Sequence, residues 1–215
     1  MSKLFLIAGL GADCRIYQKL NLDGHDVVNV NWLPFDATDT LTSYAQKLIS
    51  HYNIIENSTV IGNSMGGMLA MEISKKITLK KTILISSIRT INEAPVYFRF
   101  FRSLPVYRLI PGGAINYLDY FMDRFFGKLK QTDHGFFIDM LTEWSPEFLK
   151  WAIDAILKWD NTTIPEHTVL VTGDKDRMFP FKNTRDAIVV QGGTHTMVYE
   201  RAESVSEILK EFLPK

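Results

Sequence analysis

A serine between two glycines is the first feature of this chain whose residue types and spacing suggest chemistry. Residues 60–70 read VIGNSMGGMLA, so that Ser64 stands two positions from Gly62 and two from Gly66. An apolar run precedes it and a helix-like run follows it, which is the strand–turn–helix setting of a nucleophile elbow. Glycines let the strand and helix backbones approach closely at such a bend. We therefore predict that Ser64 is a nucleophile beside which the Met65 amide and the helix dipole favour negative charge.

A serine hydroxyl needs a neighbouring base before it can act as a nucleophile at neutral pH. His195 is the best candidate of the five histidines, because it stands in QGGTHTM directly after the last predicted strand, where the active sites of parallel sheets gather. The imidazole needs an orienting carboxylate in turn. The segment VLVTGDKDRMFP supplies Asp174 and Asp176 at the end of another predicted strand. The order along the chain is then serine, aspartate, histidine.

Short apolar runs alternate with helical periodicity and predict a parallel sheet covered on both faces. The predicted strands cover 3–9, 26–34, 58–64, 81–87, 167–173 and 186–193. Apolar spacing predicts helices over 41–52, directly after Ser64, and over 197–213. We predict an α/β fold with a mostly parallel sheet of about six strands flanked by helices.

Residues 88–161, here called the insertion, interrupt this alternation. They contain no convincing strand, hold most of the aromatic residues and are punctuated by prolines. Within them, Ser145 is a predicted N-cap, with Pro146 at the first helical position. We predict several short helices between two sheet strands, which divides the chain into a core of 1–87 and 162–215 and the insertion.

Composition narrows the class of protein. Hydrophobic residues make up 46% of the 215 residues, which is typical of a globular domain with a substantial core. Equal numbers of basic and acidic residues, 24 of each, argue against an extended nucleic-acid surface. The single cysteine, Cys14, permits no intrachain disulfide. The N-terminus has the pattern of a strand rather than a signal peptide, and no apolar run approaches the roughly 18 residues of a membrane span. We therefore predict a cytoplasmic protein without a membrane span or a nucleic-acid partner, and make no prediction of its oligomeric state.

In GNSMG, in GDKDRMFP followed by GGTHTM, and in the early IAGLGAD, the chain resembles the α/β-hydrolase superfamily over nearly its whole length. The resemblance implies that Asp176, the fourth residue of a glycine–X–X–aspartate turn, orients the histidine, with Asp174 as the second choice. It implies an oxyanion hole formed by the backbone amides of Met65 and Leu10. It also implies that the insertion is a helical cap over the site.

Three features depart from the pattern of that superfamily. The early loop has Ala8 and Gly9 where histidine and glycine are frequent. Because the first predicted strand begins at Lys3, we expect the two strands often found ahead of it to be missing, and the predicted helix between the last two strands is short, FPFKNTR. We therefore expect a compact version of the fold.

The same resemblance implies a serine hydrolase that cleaves a small ester or thioester through an acyl-enzyme, with no metal and no organic cofactor. Cofactor-free lyase chemistry on the same triad and a non-catalytic ligand-binding protein of this fold are the alternatives. The aromatic insertion predicts a small-molecule substrate with an apolar part. Five phenylalanines are predicted to line its pocket: Phe98, Phe101, Phe121, Phe125 and Phe137.

Each candidate residue also has a purely structural interpretation. Ser64 would then belong to a glycine-lined turn, His195 would cap a loop or helix, and Asp176 would close an Asx turn. Cys14 is interpreted as a packed small residue. Four arginines of the insertion form either an anion site or a solvated helix face: Arg89, Arg99, Arg102 and Arg108.

Overall fold

A six-stranded sheet forms the centre of the computed structural model, which describes residues 3–104 and 131–213. All neighbouring strands are parallel, in the order β2-β1-β3-β4-β5-β6. The strands are β1 (Lys3–Ile7), β2 (Asp26–Val30), β3 (Thr59–Asn63), β4 (Lys81–Ile85), β5 (Thr168–Gly173) and β6 (Ile188–Val190). The predicted α/β fold with about six parallel strands is confirmed, and each strand lies inside its predicted range.

Helices cover both faces of this sheet. In chain order they are α1 (Leu41–Tyr52), α2 (Met65–Ser74), α3 (Val96–Ser103), α4 (Gln131–Thr142), α5 (Pro146–Lys158), α6 (Met197–Glu200) and α7 (Ala202–Phe212). The predicted start of α5 is confirmed: the Ser145 side chain accepts a hydrogen bond from the Phe148 amide, and Pro146 is the first helical residue. The bounds of α1 are those predicted from its apolar spacing.

The C-terminal helix differs from the prediction, which ran without interruption over 197–213. Arg201 has φ −121° and ψ 33°, so its backbone leaves the helical region and separates α6 from α7. Neither glycine nor proline marks the break. Met197 and Leu209, on either side of it, bury their side chains in the same apolar cluster. The apolar pattern therefore continues across a point where the helix does not.

Alternate residues of the central strands bury opposite faces of the sheet. Phe5 and Ile7 pack in one cluster with side chains of α1, α2 and α5. Leu4 and Leu6 pack in a second cluster with side chains of α4, α6 and α7. Burial on both faces explains why the strands appear in the sequence as continuous apolar runs instead of alternating ones.

The described parts of the insertion, 88–104 and 131–161, contain α3, α4 and α5 and no strand. The two ends of the insertion are hydrogen-bonded to each other. Ile91 N donates to Asn161 O at 2.8 Å, and Asn161 Nδ2 donates to Arg89 O at 2.7 Å. The insertion therefore leaves and rejoins the core at a closed stem.

A buried carboxylate fixes the far end of α5 to the core. Glu72 of α2 accepts hydrogen bonds from Thr42 Oγ1 in α1 at 2.7 Å and from Trp159 Nε1 after α5 at 2.8 Å. It also pairs with Lys75. A buried charge is tolerated only when it is paired and hydrogen-bonded, so these contacts depend on one another.

Candidate active site

Ser64 occupies a strained turn between β3 and α2. Its φ of 53° lies in the left-handed region, which residues other than glycine rarely adopt. Two contacts hold it there: Ser64 N donates to Ile85 O at 3.0 Å, and Ser87 Oγ donates to Ser64 O at 2.7 Å. Both partners come from the carboxyl end of β4. The neighbouring strand therefore stabilises the bend that raises the serine above the sheet.

The crowding predicted at the two flanking glycines is present. A Cβ atom on Gly62 would come within 2.2 Å of Gly66 O, and one on Gly66 would come within 2.1 Å of Ile7 O. Both contacts are with backbone atoms, which cannot turn aside as a flexible side chain can. Any other residue at either position would push α2 away from the sheet.

Three side chains from the ends of three strands meet at this bend. His195 Nε2 lies 3.0 Å from Ser64 Oγ, and His195 Nδ1 lies 3.0 Å from Asp176 Oδ2. With Nδ1–H donating a hydrogen bond to the carboxylate, Nε2 carries no proton and can accept a hydrogen bond from the serine hydroxyl. His195 and Asp176 are buried, and Ser64 is half-buried. The structure thus brings together the three residues that the sequence singled out.

The second oxygen of Asp176 is held by the backbone. Oδ1 accepts hydrogen bonds from the amides of Met178 at 2.8 Å and Phe179 at 2.9 Å. This turn is the Asx-type arrangement considered from the sequence, and it coexists with the contact to His195. Asp174 is directed elsewhere, since its Oδ1 accepts from the Gly192 amide at 2.6 Å.

The loop after β1 lies directly against the serine. A Cβ atom on Gly9 would come within 3.0 Å of Ser64 Cβ. Leu10, a predicted oxyanion donor, is the next residue and is half-buried. Met65, the other predicted donor, is the first residue of α2, so its amide is one of those that no acceptor within the helix can satisfy. The two residues predicted to form the oxyanion hole thus lie on the two segments that adjoin Ser64.

Helix α4 covers this loop from outside. A Cβ atom on Gly11 would come within 2.6 Å of Leu141 Cδ1. Arg15, just after the loop, donates to Asp139 at 2.9 Å and to Glu143 at 2.6 Å, and it also pairs with Asp13. These contacts link the insertion to the loop that carries Leu10.

One of the five predicted pocket phenylalanines is connected to His195 through a single ring. Phe98 is buried, and its ring centroid lies 5.9 Å from that of Phe179. The Phe179 centroid lies 5.5 Å from that of His195. Phe98 therefore contacts the ring that supports the imidazole.

The other predicted pocket residues are placed differently. Phe137 is buried in the second cluster, with its centroid 5.5 Å from that of Tyr199. Phe101 is half-buried and packs near Tyr97, with centroids 6.4 Å apart. Two of the five lie outside the described residues: Phe121 and Phe125.

Some residues that contact Ser64, His195 or the turn of Asp176 had no role in the sequence-based prediction. Ser87 is one; a polar residue at the carboxyl end of β4 was a usable signal. Tyr97 is another: its hydroxyl donates to Met178 O at 2.6 Å, and burial, together with the charge of Asp176, raises the pKa of Tyr97 above its ordinary value. Phe179 has no sequence signal that separates it from the other aromatic residues.

The arginines of the insertion do not converge on a ligand site within the described residues. Arg89 forms a buried pair with Glu93. Arg102 donates to two backbone carbonyls at the end of α5, and Arg99 is exposed. Arg108 lies outside the described residues. For the three described arginines, the contacts therefore favour structural roles over a shared anion site.

A groove of about 810 Å³ lies beside the 3₁₀ turn Cys14–Tyr17 and the edge strand β2. Its lining includes Trp32 and Trp144 but none of the three triad residues. Cys14 is buried there, and burial raises the pKa of its thiol to about 12. This groove lies on the outer side of the loop and is not the site of Ser64.

Two further searches concern only residues 3–104 and 131–213. Within these ranges, no cluster of three or more histidine, cysteine, aspartate and glutamate side chains is placed to share a metal ion. Over the same part of the chain, no helix combines the length and the apolar character that crossing a membrane requires.

A sequence model described as the alpha/beta hydrolase family matches residues 4–208. The chain belongs to the α/β-hydrolase family. No curated protein sequence matches this α/β hydrolase. Solved structures do: an esterase from Exiguobacterium antarcticum has a TM-score of 0.75 at 17% identity, covering 99% of this chain and 91% of that one. A hydrolase from Pseudomonas aeruginosa PA01 has a TM-score of 0.76 at 14% identity, covering 100% and 90%.

Other similar structures carry different activities in their names. The epoxide hydrolase CorEH has a TM-score of 0.69 at 14% identity, covering 99% of this chain and 91% of that one. A bromoperoxidase from Bacillus anthracis has a TM-score of 0.73 at 20% identity, with coverages of 99% and 92%. At these identities the likeness shows the fold alone, so the reaction of this α/β hydrolase must be argued from its own residues.

Proposed function

We propose that this α/β hydrolase is a serine hydrolase that cleaves a small ester or thioester. One observation supports the proposal above the others: a continuous path from Ser64 Oγ through His195 to Asp176, with 3.0 Å at each step. This is the arrangement that activates a serine, in which a base contacts the nucleophile and a carboxylate orients the base.

In the acylation step, Ser64 Oγ attacks the carbonyl carbon of the substrate while His195 Nε2 takes the hydroxyl proton. The carbonyl oxygen becomes negatively charged and accepts hydrogen bonds from the amides of Met65 and Leu10. Removing one such donor from an oxyanion hole costs about 10²- to 10³-fold in kcat. Asp176 holds the tautomer in which Nε2 is free to accept, and it stabilises the imidazolium that forms.

The leaving group departs with the proton that the serine gave up. His195 passes this proton from Nε2 to the leaving atom, which is the oxygen of an alcohol or the sulfur of a thiol. The acyl group stays on Ser64 Oγ as an ester. Water then attacks this acyl-enzyme, with His195 again taking a proton and returning it to Ser64 Oγ. The products are a carboxylic acid and an alcohol or thiol, and the enzyme is restored.

We also propose that the insertion, 88–161, is a cap that selects the substrate. Helix α4 lies over the loop of Leu10. The turn that carries Asp176, residues 176–179, here called the acid turn, contacts α3 through Tyr97. The aromatic side chains that the insertion supplies favour a substrate with an apolar part. The cap therefore adjoins the site at both the oxyanion loop and the acid.

Labelling with a fluorophosphonate probe tests the nucleophile. We expect one label per chain on the wild-type protein and none on Ser64→Ala. Ser74→Ala is the matched control, because this serine lies at the other end of α2 and donates to the backbone of its own helix, at Met71 O. Labelling of Ser64→Ala at the wild-type rate would contradict the proposal.

Turnover of p-nitrophenyl esters of graded chain length and of acyl-CoA thioesters tests the reaction. We expect hydrolysis of at least one of these series by the wild-type protein and by Ser74→Ala, and none above background by Ser64→Ala. A folded wild-type protein that neither labels nor hydrolyses any member would favour the non-catalytic alternative.

A further inference from the structure

The turn that carries the catalytic acid is held from outside by helix α3. Asp176 receives its two backbone hydrogen bonds from Met178 and Phe179. Tyr97 and Phe98, which are adjacent on α3, contact these same two residues. Two neighbouring residues of the insertion thus each contact one of the two residues whose amides donate to Asp176 Oδ1.

The first link is a hydrogen bond. Tyr97 Oη donates to Met178 O at 2.6 Å, and the amide of Met178 donates to Asp176 Oδ1 at 2.8 Å. The hydroxyl thereby fixes the peptide group that joins Met178 to Phe179. The N–H of this peptide group is the second donor to Asp176 Oδ1. Because burial and the nearby carboxylate raise the pKa of Tyr97, the hydroxyl remains a donor over the neutral range.

The second link is aromatic packing. The ring of Phe98 contacts that of Phe179 with an angle of 63° between the ring planes, and the ring of Phe179 contacts that of His195 with an angle of 58°. Phe179 is 3% exposed. Its ring supports the imidazole while its amide supports the carboxylate, so one residue holds both members of the acid–base pair.

Helix α3 is itself well anchored. Arg102 donates to Leu157 O and to Trp159 O, each at 2.6 Å. Trp159 in turn donates to the buried Glu72 of α2. A chain of contacts therefore joins the acid turn, through α3 and the end of α5, to α2, the helix that follows Ser64.

We propose that α3 positions the Asp176–His195 pair, with Tyr97 and Phe179 as the positioning residues. This deepens the proposed function, since it takes Ser64, Asp176 and His195 as the reacting groups. Contact of Phe98 with Phe179 then makes the insertion part of the catalytic geometry in addition to its role in substrate choice. A substrate that shifts α3 would change the orientation of the base.

Tyr97→Phe tests the first link, because it removes only the hydroxyl group. We expect kcat to fall about 3- to 10-fold with KM nearly unchanged, the effect of one lost hydrogen bond. We also expect the acidic limb of kcat/KM to move to lower pH, because a less well-held carboxylate stabilises the imidazolium less. Tyr52→Phe is the matched control, since Tyr52 Oη also donates to a backbone carbonyl, Asn31 O at 3.0 Å, on another part of the sheet.

The ring ¹⁵N shifts of His195 give a readout that a general loss of stability does not produce. Comparison with His195→Gln assigns them among the five histidines. We expect Tyr97→Phe and Phe179→Leu to move these shifts in the folded protein, and Tyr52→Phe to leave them in place. Phe179→Leu keeps both backbone donors and removes only the ring.

Unchanged ¹⁵N shifts and an unchanged pH profile in both Tyr97→Phe and Phe179→Leu would overturn the inference. The same result for Tyr52→Phe as for Tyr97→Phe would also overturn it. The spectra need no turnover. Failure of ester hydrolysis in the wild-type protein would therefore contradict the proposed function but would not test this inference. The ¹⁵N shifts of the variants would then decide the inference alone.

Discussion

The backbone amide of Gly192 donates a hydrogen bond to Asp174 Oδ1, with 2.6 Å between the two atoms. This bond ties the turn after β5 to the turn that carries His195. Asp174 and Asp176 therefore have different tasks although they stand two residues apart. One fixes the distance between two loops, and the other contacts the imidazole.

Substitution of the two aspartates should separate these tasks. Asp176→Asn should lower kcat by about 10³- to 10⁴-fold, because an amide in this place favours the wrong tautomer of His195. Asp174→Asn should cost far less in kcat and should lower the melting temperature instead, because a charge-assisted hydrogen bond is weakened. The measurements are ester hydrolysis and thermal unfolding of both variants. The reverse ranking in kcat would make the assignment of Asp176 wrong.

Loss of either the nucleophile or the base should have nearly the same effect. Ser64→Ala and His195→Ala should each abolish most turnover while the proteins stay folded by circular dichroism. Because members of a triad act as a unit, the double variant should be little slower than either single one. A double variant whose loss in kcat equals the product of the two single losses would contradict a shared mechanism.

Enlarging the apolar pocket should shift the preferred acyl chain length. Each buried methylene of the substrate contributes roughly 0.8 kcal/mol, so that removal of a lining ring favours a longer chain. The measurement is kcat/KM across the ester series for alanine substitutions of Phe98, Phe101, Phe121, Phe125 and Phe137.

Among the variants at the three described positions, those of the buried Phe98 and Phe137 should lose the most stability, by about 3–5 kcal/mol for a phenylalanine truncated in a core. The half-buried Phe101 should lose less and should alter the chain-length profile more clearly. If all five variants fold and none changes the profile, the insertion does not govern substrate choice.

The contact between Arg15 and α4 should be sensitive to salt. Arg15→Gln removes the pairs with Asp139 and Glu143 together with the local pair with Asp13. We expect kcat/KM to fall a few-fold at low ionic strength, because exposed ion pairs contribute about 1 kcal/mol or less. The difference from wild type should shrink in concentrated salt, which screens the pairs. Lys158→Gln, which removes the pair of an exposed lysine with the half-buried Asp154 within α5, is the control. Equal effects of the two substitutions would contradict a specific role for Arg15.

Cys14 should resist alkylation in the folded protein. Its pKa is raised from 9.0 to about 12, chiefly by burial, so the reactive thiolate is scarce at pH 8. The unfolded thiol ionises near 9 and the folded one does not, so unfolding releases a proton between these values. The contribution of Cys14 to stability is therefore constant below pH 9 and falls as the pH rises above it. Iodoacetamide labelling at pH 8 with and without urea measures the first effect, and rapid labelling of the native protein would refute it.

The sequence predicts the sheet, and the proximity of Ser64, Asp176 and His195, for an identifiable physical reason. A parallel strand buried on both faces is a continuous apolar run, and the residue after its carboxyl end faces the site, so Ser64 and His195 follow directly from where such runs end. Asp176 required the resemblance to a known family, because Asp174 is equally well placed in the sequence. The contact of Asp174 with Gly192 depends on the spacing of two loops, which no local pattern records.

The supporting residues were less predictable. Tyr97 and Met178 lie 81 positions apart and meet through the packing of α3 against the turn of Asp176, as do Phe98 and Phe179. Aromatic residues are frequent throughout the insertion, and nothing in the sequence separates those that support the triad from those that fill a core. The break at Arg201 was missed for a related reason, since the apolar spacing that predicts a helix continues through it.

The closed stem of the insertion has a consequence for how this protein can diverge. Asn161 holds the two ends of the insertion together, so β4 and β5 meet in the same register whatever length of chain runs between them. The entropy cost of a closed loop grows only with the logarithm of its length, by about 0.6 kcal/mol for each doubling. Evolution can therefore lengthen, shorten or exchange this segment while the strand ends beside Ser64 keep their positions. The residues around Asn161 are also the natural junctions at which a segment from another member of the family would be grafted to give the same nucleophile a new specificity.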